Sequence, residues 1–322
     1  QWVQVRTPNT GAFSPVNPDI RYAYAGERAA TGQYGVPWPT DFPNITPLST
    51  IAKLKAHPEY LAAKTGDRAA AVRVISAIMQ RDQQTKLRAL AARYPDAIVV
   101  PVHAVERNGT NKIPRTFADF ISELTGLSVD TSIVQTNKVG RTSQNTWHRL
   151  AFRPQFDGDV RPGARYLLVD DAVTGGGTFS ELRQFIEGRG GRVVHLAAIG
   201  AAQFSAKIAL SESTYQTLEA RYGAENLERF LRDHSLYGGN PRALTESEAR
   251  TLLGAGTLDA AGDRITAAIE QERLRSQSPG VQGAVAETTP DTVTPPSGGP
   301  QRFAIAIAPG TPPPNSAPAV MA

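Results

Sequence analysis

The chain contains no cysteine, and it has no long apolar run. Without cysteine there are no disulfides, no thiol catalysis and no cysteine-based zinc sites, and this composition fits a reducing compartment. No apolar stretch approaches the length of a bilayer span. The N-terminus also lacks the basic start and apolar stretch of a signal peptide. We therefore expect a cytoplasmic protein that does not contact a membrane.

The charge of the chain is nearly balanced. It carries 34 Lys and Arg against 30 Asp and Glu, a formal net charge of +4. This modest excess suits anionic ligands, and it leaves nucleic-acid binding open but unsupported. Hydrophobic residues make up 40% of the 322 residues, which is enough for one domain of ordinary size with polar extensions.

Composition divides the chain into five segments. Residues 1–45, rich in Gly, Pro, Asn and Ser, are predicted to form an extended arm or linker. Residues 46–95 have helical spacing and are a candidate hood over a site. Residues 96–210 are predicted to be the core, and 211–275 a helical subdomain in which Thr245-Glu-Ser-Glu248 has the pattern of a capping box. Residues 276–322 are predicted to be a disordered, Pro- and Gly-rich tail that can be deleted without loss of thermal stability.

The core segment alternates apolar runs with helical spacing, which predicts an α/β fold built on a parallel sheet. An apolar stripe that begins at Phe117 predicts an amphipathic helix ended by Gly126. The predicted strands are 97–102, 129–134, 166–169 and 193–199. A sheet of this kind binds ligands beyond the carboxyl ends of its strands.

One motif in the core carries most of the functional information. The apolar run 166–169 leads into Asp170 and Asp171, and a Gly-rich loop follows before helical spacing resumes. Glycines let the backbone approach a ligand closely, and the amides of a loop that opens onto a helix attract anions. We therefore predict a phosphate-binding loop formed by Thr174, Gly175, Gly176, Gly177 and Thr178.

The two carboxylates distinguish this loop from a plain phosphate cradle. A loop that binds only phosphate has no use for negative charge beside it, whereas a sugar phosphate presents hydroxyl groups as well. Asp170 and Asp171 can accept hydrogen bonds from ribose hydroxyls or hold a hydrated Mg²⁺. The loop is not a Walker A motif, because no Lys follows the glycines.

The motif resembles the 5-phosphoribosyl-1-diphosphate (PRPP) motif of type I phosphoribosyltransferases. The chain departs from that family at Gly175, where Thr or Ala is usual. The resemblance implies a Rossmann-like core and Mg²⁺ as cofactor. It also implies transfer of a 5-phosphoribosyl group from PRPP to a nitrogen nucleophile, with release of diphosphate. Asp170 and Asp171 would then hold the ribose and, indirectly through PRPP or water, the metal.

Two further loops resemble ComF-type competence phosphoribosyltransferases. The first follows Pro101-Val102-His103 and precedes the amphipathic helix, where Gly109 and Asn111 match the family pattern while Thr110 and Lys112 depart from it. A loop after a strand of this sheet faces the same crevice as the motif. The resemblance implies diphosphate binding by Arg107, Asn108, Gly109 and Lys112.

The second such loop is the long polar segment 136–153, which is predicted to be a mobile flap that closes over PRPP and excludes water. Arg141 lies in a match to the ComF segment and is the candidate catalytic cation. Lys138 and Arg149 are further candidates for neutralising the diphosphate. In the helical segment before the core, Lys64 and Asp67 can border a substrate site, although solvated helix ends are the commoner role for such residues.

Alternatives to an enzyme remain open on the sequence. Residues 13–22 resemble linkers in polyvalent proteins of phages and mobile elements. The chain could therefore be a non-catalytic module that binds PRPP or a nucleotide and serves as a regulatory or DNA-processing partner. Another nucleotide-binding α/β enzyme is a third possibility. The implied partners are PRPP, an unidentified nitrogen acceptor and, as an open alternative, a second copy of the chain.

Overall fold

A computed structural model describes residues 34–102, 105–106, 109–137, 145–202 and 205–277. These residues form an α/β fold around a parallel four-stranded sheet, as the alternating pattern predicts. The predicted tail from residue 278 onward, the linker-like residues 13–22, and Arg107, Asn108, Lys138 and Arg141 lie outside the described residues.

The sheet has the order β1-β8-β7-β2, and each neighbouring pair is parallel. Two short antiparallel pairs, β3 with β4 and β5 with β6, lie outside it. The strands are β1 (Thr46–Thr50), β2 (Ile98–Pro101), β3 (Val105–Glu106), β4 (Gly109–Thr110), β5 (Val134–Gln135), β6 (Phe156–Asp157), β7 (Arg165–Val173) and β8 (Arg192–Ala201).

Helices cover both faces of the sheet and continue beyond it. In chain order they are α1 (Ile51–Lys55), α2 (Tyr60–Thr65), α3 (Arg68–Ile78), α4 (Arg81–Arg93), α5 (Ile113–Thr125), α6 (Thr146–Ala151), α7 (Gly177–Glu187), α8 (Glu212–Tyr222), α9 (Ala224–Asp233), α10 (Glu246–Ala255) and α11 (Leu258–Gln277). Two short 3₁₀ turns, Tyr237–Gly239 and Pro241–Ala243, join α9 to α10. No helix in these ranges combines the length and apolar character needed to cross a bilayer.

Side-chain alternation along the strands supplies both faces of the core. Leu167 and Val169 of β7 pack with α3, α4 and α5 on one face. Tyr166 and Leu168 pack with α7 on the other. The predicted amphipathic helix is α5, which buries Phe117 fully and ends at Gly126 with φ +80°. The arrangement is a three-layer α/β sandwich whose sheet is buried on both faces.

One of the four strands predicted for the sheet, segment 129–134, is replaced in the structure by another segment. Segment 129–134 contributes only an isolated bridge between Val99 and Val129, because the chain then turns away. The turn is made by the Asp130 carboxylate, which accepts a 2.8 Å hydrogen bond from the Ser132 amide. The fourth strand is instead Thr46–Thr50, at the start of the segment expected to be a helical hood, and it lies at the opposite edge of the sheet, beside β8.

The C-terminal helices form a third apolar cluster beside the core. Leu218, Leu231 and Leu252 are fully buried in it. Helix α6, in the second half of the predicted flap, packs its Leu150 into the same cluster. The predicted capping box is present at the start of α10, between Thr245 and Glu248.

Candidate functional site

The acid pair lies at the carboxyl end of a central strand. Strand β7 runs to Val173, so Asp170 and Asp171 lie within its last four residues. The sequence predicts instead that the strand ends at Val169 and that the two acids follow it. The register with β2 ends at Pro101 opposite Val169, immediately before the acids. Both carboxylates are therefore where β2 leaves the sheet and opens a crevice, and both are buried.

Two side chains from neighbouring segments meet Asp171. Lys64 of α2 donates to its Oδ2 over 3.1 Å, and Asn111 donates to the same oxygen over 3.0 Å. Only 13% of the Lys64 side chain and 7% of the Asp171 side chain are exposed. The structure therefore brings Lys64 to the acid pair, while Asp67 instead caps α3 by accepting from the Ala70 amide.

The two carboxylates differ in their surroundings. Burial, and then the negative charge of Asp171, raises the pKa of Asp170 well above its ordinary value, although the ammonium of Lys64 opposes this. The Oδ1 atom of Asp170 also accepts a 2.8 Å hydrogen bond from the Asp171 amide. The Asp170 carboxyl consequently takes up its proton at a higher pH than an isolated carboxylate would.

The donor set suits a magnesium ion that arrives with a phosphate ligand. Carboxylate oxygens are hard ligands, and Mg²⁺ usually takes one or two of them together with substrate phosphates and water. Among the described residues there is no group of three or more His, Cys, Asp or Glu that would cage a metal. Asp170 and Asp171 are the residues that could supply one or two carboxylate ligands to such an ion.

The Gly-rich loop ends at the start of α7, as the motif predicts. Gly176 is the N-cap, with φ +75°, and being glycine it has no side chain to cap the first-turn amides. Gly177 and the half-buried Thr178 are the first two residues of the helix. Amides at such a position attract anions, so the loop has the geometry of a phosphate cradle.

A cavity of about 240 Å³ opens beside this loop. Its walls come from the loop, from α6, from the turn after β8 and from the first residues of α10. Its lining residues are Thr146, Arg149, Leu150, Thr174, Gly175, Gly177, Ala202, Ser205, Ser247 and Glu248. Four hydroxyl groups, one guanidinium and the Glu248 carboxylate thus surround a space large enough for a phosphate and part of a sugar.

Arg149 is the cation of this cavity. Its Nη1 donates to the Thr174 hydroxyl over 2.5 Å, and burial lowers the pKa of its guanidinium. The sequence interpretation assigned Arg149 to the diphosphate, and in the structure its guanidinium lies against the Gly-rich loop. Of the other predicted diphosphate ligands, Gly109 lies in β4, and the half-buried Lys112 donates its amide to Ala63.

The second half of the predicted flap is packed. Arg153 is buried and donates to Glu181 of α7 over 2.7 Å, and it also contacts Glu248 of α10 and Tyr237. Burial alone would lower the pKa of Arg153, but the charge of Glu248 leads the effects that raise it well above its ordinary value. The prediction that 145–153 is loose without ligand therefore disagrees with the structure, because α6 and Arg153 are fixed by buried apolar and ionic contacts.

The helical subdomain contributes residues to the site that the sequence interpretation missed. Thr245 at the start of α10 donates from its hydroxyl to the Gly175 carbonyl over 2.8 Å, and Ser205 donates to the Thr174 carbonyl. Ser247 and Glu248 line the cavity. The capping box marked the start of α10 in the sequence, but nothing in the pattern indicated that this helix end meets the loop.

Comparison with known proteins gives two curated relatives and no matching family model. The chain is 38% identical over 232 residues to "Protein TraN" of Escherichia coli, which covers 72% of this chain and 51% of that protein. It is 37% identical over 149 residues to an uncharacterized protein of Haemophilus influenzae, covering 46% of this chain and 33% of that one. The chain thus spans about half and a third of the lengths of these relatives.

Two solved structures are also similar. Leishmania donovani UMP synthase matches 57% of this chain and 35% of its own at 14% identity and a TM-score of 0.26. Mycobacterium tuberculosis orotate phosphoribosyltransferase, in complex with Fe(III) dicitrate, matches 58% and 87% at 17% identity and a TM-score of 0.27. Similarity at this level carries no weight for function, which depends on the residues of the site itself.

Proposed function

We propose that the chain binds PRPP together with Mg²⁺ and transfers its 5-phosphoribosyl group to a nitrogen nucleophile, releasing diphosphate. The observation that carries the proposal is the combination of a buried acid pair with an uncapped helix start only a few residues further along the chain. The loop suits the 5-phosphate, and the acids suit the ribose hydroxyls.

The cavity supports the phosphate half of the proposal. Arg149 supplies a positive charge there, and Thr174, Ser205 and Ser247 supply hydroxyl groups. A dianionic phosphate at the start of α7 would gain charge-assisted hydrogen bonds from the guanidinium and the first amides. The carboxylates of Asp170 and Asp171 would then fix the ribose ring and thereby the position of the anomeric carbon.

The chemistry follows from where the charges would lie. The bond from the anomeric carbon to the diphosphate oxygen breaks, and the diphosphate leaves with the electron pair. A bond from the acceptor nitrogen to that carbon forms, and the nitrogen's proton passes to solvent or to a base. The acid pair lies where it would stabilise the positive charge that develops on the sugar. When bound, Mg²⁺ supplies neutralisation of the diphosphate.

A second candidate is a module that binds PRPP or a nucleotide without turnover. The buried contact of Lys64 with Asp171 favours it, because an ammonium already occupies one carboxylate. The resemblance of residues 13–22 to mobile-element linkers is compatible with such a partner role. The acceptor, whether a purine, a pyrimidine, a nicotinate-like ring or a base in nucleic acid, has no recognition motif in either helical segment.

The test is a titration with PRPP and Mg²⁺ paired with an assay of diphosphate release across a panel of nucleobases. We expect the double variant Asp170→Asn and Asp171→Asn to bind PRPP at least tenfold more weakly, because charged hydrogen bonds contribute about 1.5–3 kcal/mol each. The matched control is Asp96→Asn, which removes a carboxylate that is 63% exposed and pairs with Arg165 at the other end of β7.

Each outcome separates the candidates. Binding with diphosphate release supports the transferase, and binding without release for any base supports the module. Binding of mononucleotides or dinucleotides but not of PRPP indicates another nucleotide-binding enzyme. Equal PRPP affinity in the parent and in the acid-pair variant would contradict the proposed site.

A further inference from the structure

One oxygen atom of the acid pair carries two contacts from separate parts of the chain. Oδ2 of Asp171 accepts from the Lys64 ammonium at 3.1 Å and from the Asn111 amide at 3.0 Å. The Lys64 side chain is only 13% exposed and the Asp171 side chain 7%, so the contact is largely shielded from solvent. This is the carboxylate that the proposed function assigns to the ribose and, indirectly, to the metal.

The two donors belong to one connected unit. The Lys112 amide donates to the carbonyl of Ala63, the residue before Lys64, over 3.1 Å. The Asn111 side chain also accepts from the Ile113 amide, and so it turns the chain into α5. The helix that holds Lys64 is thereby tied to the end of the loop predicted to bind diphosphate, and both Lys64 and that loop end contact Asp171.

We propose that Lys64 is a resident counter-ion that keeps free divalent cations away from the acid pair, so that metal enters only in company with the sugar diphosphate. This rests on the proposed function, because it concerns the same carboxylates. A divalent cation at Oδ2 of Asp171 would lie within a few ångströms of the ammonium, and repulsion at that distance in a buried site is strong. A metal already bound to a diphosphate carries a compensating negative charge.

The side chain is suited to exchange partners. Lysine is a compact point charge on a flexible four-carbon stem, so its ammonium can leave one anion for another without a change of backbone. The diphosphate of the arriving ligand would offer that second anion. Lys64 would then release Asp171 to the ligand as the diphosphate arrives, which makes it a positioning and specificity residue for ligand entry.

The test measures Mn²⁺, as a paramagnetic substitute for Mg²⁺, by electron paramagnetic resonance in the absence of PRPP. We expect the parent protein to bind Mn²⁺ with a dissociation constant above the millimolar range, whereas Lys64→Met binds it at least tenfold more tightly and gains thermal stability when it is added. Lys64→Arg keeps the positive charge and should behave as the parent does. The matched control is Lys53→Met, on an exposed position of α1.

The Mn²⁺ bound by Lys64→Met must disappear when Asp171→Asn is added, which assigns it to the acid pair. If Lys64→Met does not fold, Lys64→Gln keeps a hydrogen-bond donor and provides the same neutral comparison. The proposal is overturned if the parent binds free Mn²⁺ as tightly as the neutral variants do, or if neither binds it.

A separate titration of the parent with Mn²⁺ and PRPP together should show metal binding that requires both components. Absence of PRPP binding there contradicts the proposed function alone, because the exclusion of free metal by Lys64 is measured without PRPP.

Discussion

Two adjacent glycines of the loop have different physical requirements. Gly176 has φ +75°, and a Cβ there would lie 2.8 Å from the Cδ1 atom of Ile208. At Gly175 a Cβ would meet only the Ser247 hydroxyl oxygen, at 4.0 Å, and φ is not positive. The position at which the chain departs from the phosphoribosyltransferase motif is therefore the permissive one of the two.

We expect Gly176→Ala to lower the free energy of unfolding by about 1–2 kcal/mol, because a left-handed backbone conformation is costly for a residue with a Cβ. It should also weaken phosphate binding, since the first amides of α7 would move. Gly175→Ala should change stability by less than about 0.5 kcal/mol. Chemical denaturation of both variants measures this, and equal losses would contradict the account of the loop.

A buried histidine on β8 predicts a pH dependence of stability. Burial, and then the positive charge of Arg93, lowers the pKa of His195 to about 4, and its Nε2 pairs with the Thr46 hydroxyl at 2.8 Å. Above pH 6.5 the imidazole is neutral in both states. As the pH falls toward 4, the imidazole becomes protonated in the unfolded chain but stays largely neutral in the folded protein, so the free energy of unfolding falls.

The contribution of His195 over that interval is about 3 kcal/mol. In His195→Gln this part of the pH dependence should be absent, so the difference in unfolding free energy between parent and variant should shrink as the pH falls from 6.5 to 4. Denaturant titrations at several pH values measure it. Parallel curves would show that the imidazole takes up its proton equally in both states.

At the scale of single residues, the sequence was enough to predict site residues that are neighbours along the chain. Asp170, Asp171 and the loop are contiguous, so spacing alone predicted an acid pair beside an uncapped helix start. Lys64 is 107 residues from Asp171, and its contact depends on how α2 packs. The sequence could name Lys64 as a candidate, but it could not distinguish a buried partner from a solvated helix end.

At the scale of elements, one buried guanidinium holds three of them together. Arg153, which follows α6, pairs with Glu181 of α7 and Glu248 of α10. Glu248 in turn accepts from the Thr245 amide over 2.9 Å, and the Thr245 hydroxyl supports the Gly-rich loop. The walls of the cavity are thus connected through charges that solvent barely reaches.

We expect Arg153→Met to lower the free energy of unfolding by about 3–5 kcal/mol, because it leaves buried carboxylates without their cation. Arg165→Met is the control, since it removes a partly exposed partner of Asp96 and should cost less than about 1 kcal/mol. Thermal and denaturant unfolding of both variants decide this. Comparable losses would mean that the Arg153 pairs contribute no more than a surface ion pair.

The elements that the sequence predicted well are those with strong periodicity or clear caps. Helix α5 and the strands β2, β7 and β8 follow from apolar spacing, and α10 follows from its capping box. The edge strand Thr46–Thr50 was missed because it is short and contains Pro47, which only an edge tolerates. The second half of the predicted flap is packed and not mobile, because Arg153 pairs with Glu181 and Glu248 of other elements. The sequence shows such residues only as polar.

At the scale of the whole molecule, the parallel sheet and the C-terminal helices meet at one site. The sheet supplies the acids and the loop, while α10 supplies Thr245 to the loop and Ser247 to the cavity wall. The C-terminal helices are therefore part of the proposed binding site. The sheet, the loop and α10 all lie within the part of the chain that the structure describes. The whole chain covers 51% of the length of its Escherichia coli relative.

The most direct test of the central claim is a crystal structure of the protein soaked with PRPP and Mg²⁺. The account predicts phosphate density at the amides of Gly177 and Thr178 within reach of Arg149, ribose hydroxyl groups on Asp170 and Asp171, and the Lys64 ammonium displaced toward the diphosphate. A phosphate bound elsewhere, with the Lys64–Asp171 pair intact, would contradict it.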